Sequence, residues 1–203
     1  MPQHLIDMSR LLQSLSLPAD IIRGCWILFS VIWLLSAAST KRSIYRESGA
    51  RRLRYWILLI LAFLLLTRGH QLPWPFDVRI ISGTETVQWM AAILCIAGLT
   101  FCVWARATLG RNWSGTITLK EGHELIESGP YRLVRHPIYT GLLAMFLATA
   151  IKSGHPGGIV ALILAFASFW IKLGEEEKLM LQQFPDQYRS YQQRVKRIIP
   201  FVL

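Results

Sequence analysis

The sequence predicts an all-α, polytopic membrane protein of about five transmembrane helices. Three observations lead there. Hydrophobic residues make up 53% of the 203 positions, mean hydropathy is +0.37, and the apolar residues fall in blocks. The blocks run close to the roughly 20 residues that a bilayer core requires of a helix. Lysine and arginine gather mainly between the blocks, and Arg23, Arg54 and Lys172 lie near block ends.

The blocks justify the elements in order. Residues 1–20 contain Asp7, Arg10 and Pro18, so they lack the continuous apolar core of a cleavable leader. Leu5, Met8, Leu12 and Leu15 recur at helical spacing, which predicts an amphipathic helix on the membrane surface. Residues 21–38, 53–67 and 87–105 are three spanning candidates, flanked by Lys41, Arg54, Arg68 and Arg106. Residues 138–151 and 157–173 are two more. The Gly- and Pro-bearing link between them predicts an antiparallel hairpin. The fourth block is short for a full crossing, so tilt or shelter by its neighbours is expected of it. Residues 68–85 carry Pro73, Trp74, Pro75 and Phe76, expected as an ordered turn with aromatics at the interface.

Charge orients these helices. With five alternating spans, 17 of the 22 basic residues fall on one side, in residues 40–54, 106–136 and 172–203. The positive-inside rule makes that side cytoplasmic, along with the C-terminus. A net charge of +10 would suit nucleic acid in a soluble protein. Here the positive charge lies between apolar blocks, so the bilayer is the expected partner and nucleic acid is not. Cys25, Cys95 and Cys102 sit inside apolar blocks without metal-ligand spacing, and read as small buried hydrophobes. No zinc-hydrolase or nucleotide-binding motif is present, and no metal is expected.

The polar chemistry concentrates on the cytoplasmic face. Residues 128–141 read Ser-Gly-Pro-Tyr-Arg-Leu-Val-Arg-His-Pro-Ile-Tyr-Thr-Gly. Pro137 suits a first helical turn, where its missing N–H had no partner anyway. His136 is then pushed out of the helical region, at a helix mouth whose free N–H groups favour anions. Tyr139 lies three positions on, over the same face. Gly141 permits close approach by a ligand or by another helix. Arg132 and Arg135 suit either binding or membrane anchoring. Glu175, Glu176 and Glu177 follow directly on the fifth block, where acidic residues do nothing for orientation, so a carboxylate there suits a cationic ligand. Lys172, four positions before Glu176, suits an anionic group or a snorkelling role.

Taken together, Ser128-Gly129-Pro130-Tyr131, Arg135-His136-Pro137-Ile138-Tyr139 and Gly141, then Glu176-Glu177, Leu179, Phe184, Tyr188, Tyr191, Val195 and Ile199-Pro200, resemble the isoprenylcysteine carboxyl methyltransferases. The resemblance runs from about Arg106 to Pro200. It implies a single membrane domain over residues 1–203, with 1–105 as scaffold and 106–203 as catalytic core. It implies S-adenosyl-L-methionine as cofactor, held by Thr116, His123, Glu124, Leu125, Ile126, Tyr131, His136, Pro137, Ile138, Tyr139 and Glu176. It also implies a substrate-binding role for Lys172, where the family has an arginine, and makes Lys172 and Glu176 the catalytic pair. Lysine keeps the charge and loses the planar fork that grips a carboxylate. The expected reaction is carboxyl O-methylation of a prenylated cysteine or a similar lipophilic acceptor. Thiol and phospholipid methyltransferases of the same fold are the alternatives. A thiol acceptor would need a base, with Glu176 or Glu177 as candidate. A membrane lipid or sterol-type reductase and a non-enzymatic lipid-binding protein rank behind these.

Overall fold

The computed structural model describes residues 3–37, 49–110 and 125–202. Six α-helices carry the fold: α1 (Gln3–Ala37), α2 (Gly49–Arg68), α3 (Glu85–Leu109), α4 (Pro137–Ser153), α5 (Pro156–Gln183) and α6 (Pro185–Arg194). Among the described residues the one β contact is an isolated parallel bridge between Val134 and Lys196.

α1, α2, α3 and α5 each contain a stretch long and apolar enough to cross a membrane. α4 has 17 residues, about 25 Å of helix, and falls short of a core about 30 Å thick. This is the block expected to be short. Two elements differ from expectation in extent. α1 runs unbroken through Pro18, so the expected surface helix and the first span form one rod, of which 17–36 is the membrane candidate. α5 continues ten residues past the fifth block and carries all three glutamates on the helix. Lys172–Glu176 and Glu175–Lys178 pairs at helical spacing support that extension. It stops at Phe184, because the residue before Pro185 disfavours the helical region.

Small residues let the rods touch. Lipid solvates leucine as well as another helix does, so close packing and hydrogen bonds supply the association. α3 and α4 meet at Gly98 and Gly141: a Cβ on Gly141 would stand 2.5 Å from the Gly98 carbonyl and 2.6 Å from Cys102 Sγ. Gly141 therefore serves helix packing, one of the two roles open to it. The end of α2 and the turn after it meet α5 where Gly157 packs on the Leu65 carbonyl and Gly69, and Gly158 lies against Ala150 where α4 turns into α5. Ile22 and Cys25 of α1 bury against Ala91, Ala92, Cys95 and Leu99 of α3. At the centre Trp26 stacks edge-on with Phe63 and Phe146 and donates its indole N–H to Thr149 Oγ1 at 3.0 Å. Ile27, Leu34, Ile60, Leu64, Met90, Ile93 and Ile163 point outward and stay exposed, as lipid-facing positions do. All three cysteines are buried and free.

The start of α4 and the glutamates of α5 lie at one end of the bundle. The chain returns to that end after α6, where residues 195–198 lie along 134–136. Arg135 and His136 donate their backbone N–H groups to the carbonyls of Lys196 and Arg197 at 2.8 and 3.0 Å. Thr140 Oγ1 donates to the Ile198 carbonyl at 2.7 Å.

Candidate functional site

His136 is the N-cap of α4, with φ −128° and ψ 62°, and Pro137 takes the first helical position. The proline thus does what the sequence requires of it: it leaves His136 non-helical and opens the helix. The imidazole then sits between two carboxylates of α5. Nε2 donates to Glu177 Oε1 at 3.1 Å, which leaves Nδ1 turned to Glu176 Oε2 at 3.7 Å.

The two glutamates are neighbours in sequence and differ in environment. Glu177 is 3% exposed. Its Oε1 accepts Arg135 Nε and Nη2, both at 2.8 Å, besides the imidazole. Its Oε2 accepts Gln192 Nε2 at 3.2 Å and both Nε and Nη2 of Arg197. Every lone pair is taken. Arg197 in turn lies over the Trp170 ring at 4.6 Å, and Arg135 also donates to the Val195 carbonyl. Glu177 is therefore the knot that ties α4, α5, α6 and the C-terminal segment together, and it has no capacity left to act as a base.

Glu176 keeps a side chain 24% exposed. Its Oε1 accepts the Tyr139 hydroxyl at 2.7 Å and lies 3.8 Å from Lys172 Nζ. The ammonium of Lys172, itself 15% exposed, stands over two aromatic faces, 5.7 Å from the Tyr55 ring and 5.5 Å from that of Tyr139. Tyr55 comes from α2, is buried, and accepts Ser168 Oγ on its carbonyl at 2.7 Å. Tyr139 packs on Phe169 with ring centroids 5.1 Å apart. A cation, an anion, a phenol and an imidazole thus converge at the mouth of α4, walled by aromatic rings.

A second feature adjoins this cluster. Leu125, Ile126, Glu127, Ser128, Arg132, Tyr191 and Arg194 line a cleft of about 600 Å³. Arg194 pairs with Glu127 across it at 2.8 Å. Tyr191 donates its hydroxyl to the Tyr131 carbonyl at 2.6 Å and so joins the cleft wall to the 3-10 turn Gly129–Arg132. Burial pushes the Tyr131 phenol well above the usual tyrosine range, with Tyr191 and Glu176 adding to the effect, so it stays a neutral donor beside the glutamate.

The structure thus brings together Tyr131, His136, Pro137, Tyr139, Lys172 and Glu176. Leu125 and Ile126 lie in the adjoining cleft, and Ile138 faces α3, where its carbonyl accepts the Cys102 thiol. Thr116, His123 and Glu124 lie outside the described residues. Sequence reasoning missed Tyr55, Gln192 and Arg197. Arg197 stands just before Ile198-Ile199-Pro200, the last two of which belong to the residues that carry the family resemblance. Tyr55 carries no signal of that kind, because it sits in an apolar block that reads as scaffold.

Comparison with known proteins falls on the same region. Residues 86–187, half of the chain, match the family described as phospholipid methyltransferase. Protein-S-isoprenylcysteine O-methyltransferase A of Arabidopsis thaliana is 30% identical over 132 residues, covering 62% of this chain and 67% of that protein. The chain belongs to the isoprenylcysteine carboxyl methyltransferase family. Another relative is a probable protein-S-isoprenylcysteine O-methyltransferase of Oryza sativa subsp. japonica, 32% identical over 57% of this chain and 62% of the rice protein. The chain thus spans about three fifths of the rice relative's length. Methanethiol S-methyltransferase 1 of Bradyrhizobium diazoefficiens is 32% identical over 35% of this chain and 24% of its own. The solved structure of the eukaryotic intramembrane Ras methyltransferase, an isoprenylcysteine carboxyl methyltransferase, shares the fold with a TM-score of 0.52. It is 23% identical and covers 78% of this chain and 55% of its own. The family match runs from α3 to the first turn of α6; Tyr131, His136, Tyr139, Lys172, Glu176 and Glu177 lie inside it, and Tyr55, Gln192 and Arg197 lie outside.

Proposed function

We propose that the protein is an S-adenosyl-L-methionine-dependent methyltransferase acting at the membrane surface on the carboxylate of a prenylated cysteine or a similar lipophilic acceptor. Residues 106–203 form its catalytic core, on the cytoplasmic side indicated by the basic residues. The observation that carries the reading is the pairing of Lys172 and Glu176 beside Tyr139 and His136, two opposite charges kept partly open at one helix mouth.

The residues fit the cofactor's chemistry. S-adenosylmethionine supplies an electrophilic methyl group on a sulfonium, with a cationic amino group alongside. Glu176 offers a carboxylate whose position is fixed by the Tyr139 hydroxyl and whose Oε2 remains for a cationic partner. Leu125 and Ile126 supply apolar surface in the cleft shared with Tyr191, whose hydroxyl bonds the Tyr131 carbonyl. Lys172 orients the acceptor's anion. Its two aromatic neighbours hold the ammonium without neutralising it. A carboxylate acceptor is ionised at neutral pH and needs no base, so the protein's work is positioning and exclusion of water. Arg135 and Glu177 contribute by fixing His136 and the returning C-terminal segment.

One observation keeps a thiol acceptor in view: a lysine stands at position 172 where a carboxylate-gripping fork would be an arginine. A thiol must lose its proton, and Glu176 Oε2 is then the base. A labelled-methyl assay in nanodiscs, offering an S-prenylated cysteine, a phospholipid and a small thiol in turn, separates the acceptors. Transfer to the prenylcysteine carboxylate is expected, with KM raised in Lys172→Ala and largely restored in Lys172→Arg. Transfer to the thiol alone, unchanged in Lys172→Ala, would overturn the carboxylate reading.

A further inference from the structure

The other end of the bundle holds a second polar cavity, about 25 Å along α4 from His136 by helix rise. Its volume is about 390 Å³. Its lining includes His70 just after α2, Arg79 from the connecting loop, Gln88 of α3, Thr149 and Lys152 of α4, and His155 of the α4–α5 link. Two permanent cations, two imidazoles and no Asp or Glu line it. Arg79 and His70 are exposed and Lys152 and His155 partly exposed, so the positive lining is open to an anion, and no carboxylate among the lining residues pairs with it.

The arrangement is built. Ile80 and Ile81 donate their backbone N–H groups to the Gly154 carbonyl at 2.8 and 3.1 Å, which fastens the loop to the α4–α5 link. Arg79 is thereby laid between two glycines. A Cβ on Gly83 would stand 2.6 Å from its Nη2, and one on Gly154 would stand 3.0 Å from its Nε. Arg79 donates Nε to the Ile81 carbonyl at 2.9 Å and Nη2 to the Lys152 carbonyl at 3.3 Å. Gln88, buried at 5% exposure, donates to the same carbonyl at 3.4 Å. The Lys152 carbonyl is thus occupied, while Arg79 Nη1 makes no bond among the described residues. His155 is the N-cap of α5 yet makes no cap bond. Its ring lies 5.9 Å from that of His70, and its buried Nδ1 has no hydrogen-bond partner.

We propose that this cavity binds a phosphate oxyanion, presented by a phospholipid headgroup of the far leaflet. Guanidinium, ammonium and imidazole N–H donors converge there beside the N-terminus of α5, which adds its own preference for anions. The residues beside the cavity favour a lipid over a free ion as the source. Leu72, Trp74, Val78 and Ile80, on the loop that carries Arg79, are exposed and apolar, a surface suited to acyl chains and the aromatic belt. The inference stands apart from methyl transfer, which it places at the opposite end of α4.

Native mass spectrometry of the full chain, released from nanodiscs of phosphatidylglycerol and phosphatidylcholine, tests this. Thermal shift in detergent with inorganic phosphate is the parallel arm. Wild type is expected to retain one phospholipid, with retention falling about tenfold in Lys152→Gln and in Arg79→Gln. Arg23→Gln is the matched control, since Arg23 pairs only with Asp20 on an exposed face. His155→Gln, which preserves a polar side chain, is expected to weaken retention without unfolding. Stabilisation by inorganic phosphate that is lost in Lys152→Gln, with no lipid retained, would support the oxyanion site and assign it a soluble source. Equal retention in wild type and all three variants, with no effect of phosphate, would overturn the proposal.

Discussion

Adjacent glutamates on α5 have opposite assignments, and the difference comes from the roughly 100° that separates successive residues around a helix. Glu177 points into the junction of α4, α6 and the C-terminal segment and meets two arginines, a histidine and a glutamine. Removing one partner of such a knot leaves buried cations uncompensated, which costs about 3–5 kcal/mol. Glu177→Gln is therefore expected to lower thermal stability sharply, read by melting in detergent. Glu176→Gln removes one part-exposed charge and one phenol acceptor. It is expected to melt close to wild type while weakening cofactor binding by roughly 10- to 100-fold, the worth of one charge-assisted hydrogen bond. Charge and spacing do not rank the three glutamates of the sequence, and the family resemblance alone singles out Glu176. Burial decides between Glu176 and Glu177, and it depends on where residues 192–197 return, some 15 to 20 positions away.

At the scale of elements, the helix start at Pro137 was readable from proline chemistry alone, whereas the continuation of α5 past residue 173 to its stop before Pro185 was not read from hydropathy. Nor was the role of Gly141 readable, because glycine serves ligands and helices equally well until its neighbour is known. With Gly98 opposite, the α3–α4 contact has no room for a methyl group. Gly141→Ala and Gly98→Ala are each expected to cost about 1–3 kcal/mol, measured as a fall in melting temperature or unfolding midpoint. The C-terminal segment is likewise more than a tail. Ending the chain at Arg194 removes the Lys196 and Arg197 carbonyls that hold residues 135–136, and Arg197's bonds to Glu177. Activity is expected to vanish together with the folded state of the site, checked by proteolysis of the α4 start. Tyr55 illustrates what helix patterning hides: an aromatic inside an apolar block reads as core, and only the packing of α2 on α5 brings it under Lys172.

For the whole molecule, hydropathy blocks and interrupting charge specified the helical membrane architecture, since both follow from the cost of polar groups in lipid. They could not specify that α1 is a single rod through Pro18, nor that the bundle has chemistry at both ends. Cysteine labelling tests the orientation, the native thiols being buried. Lys178→Cys is expected to react from the cytoplasmic side and Asp77→Cys from the opposite side, and the reverse would invert the topology. The central claim, that the cluster around Glu176 holds S-adenosylmethionine, is tested most directly by titrating that cofactor into the full chain in nanodiscs by calorimetry. The account predicts saturable binding to wild type and the loss of most of that affinity in Glu176→Gln at unchanged melting temperature. A folded wild type that binds neither S-adenosylmethionine nor S-adenosylhomocysteine would contradict it.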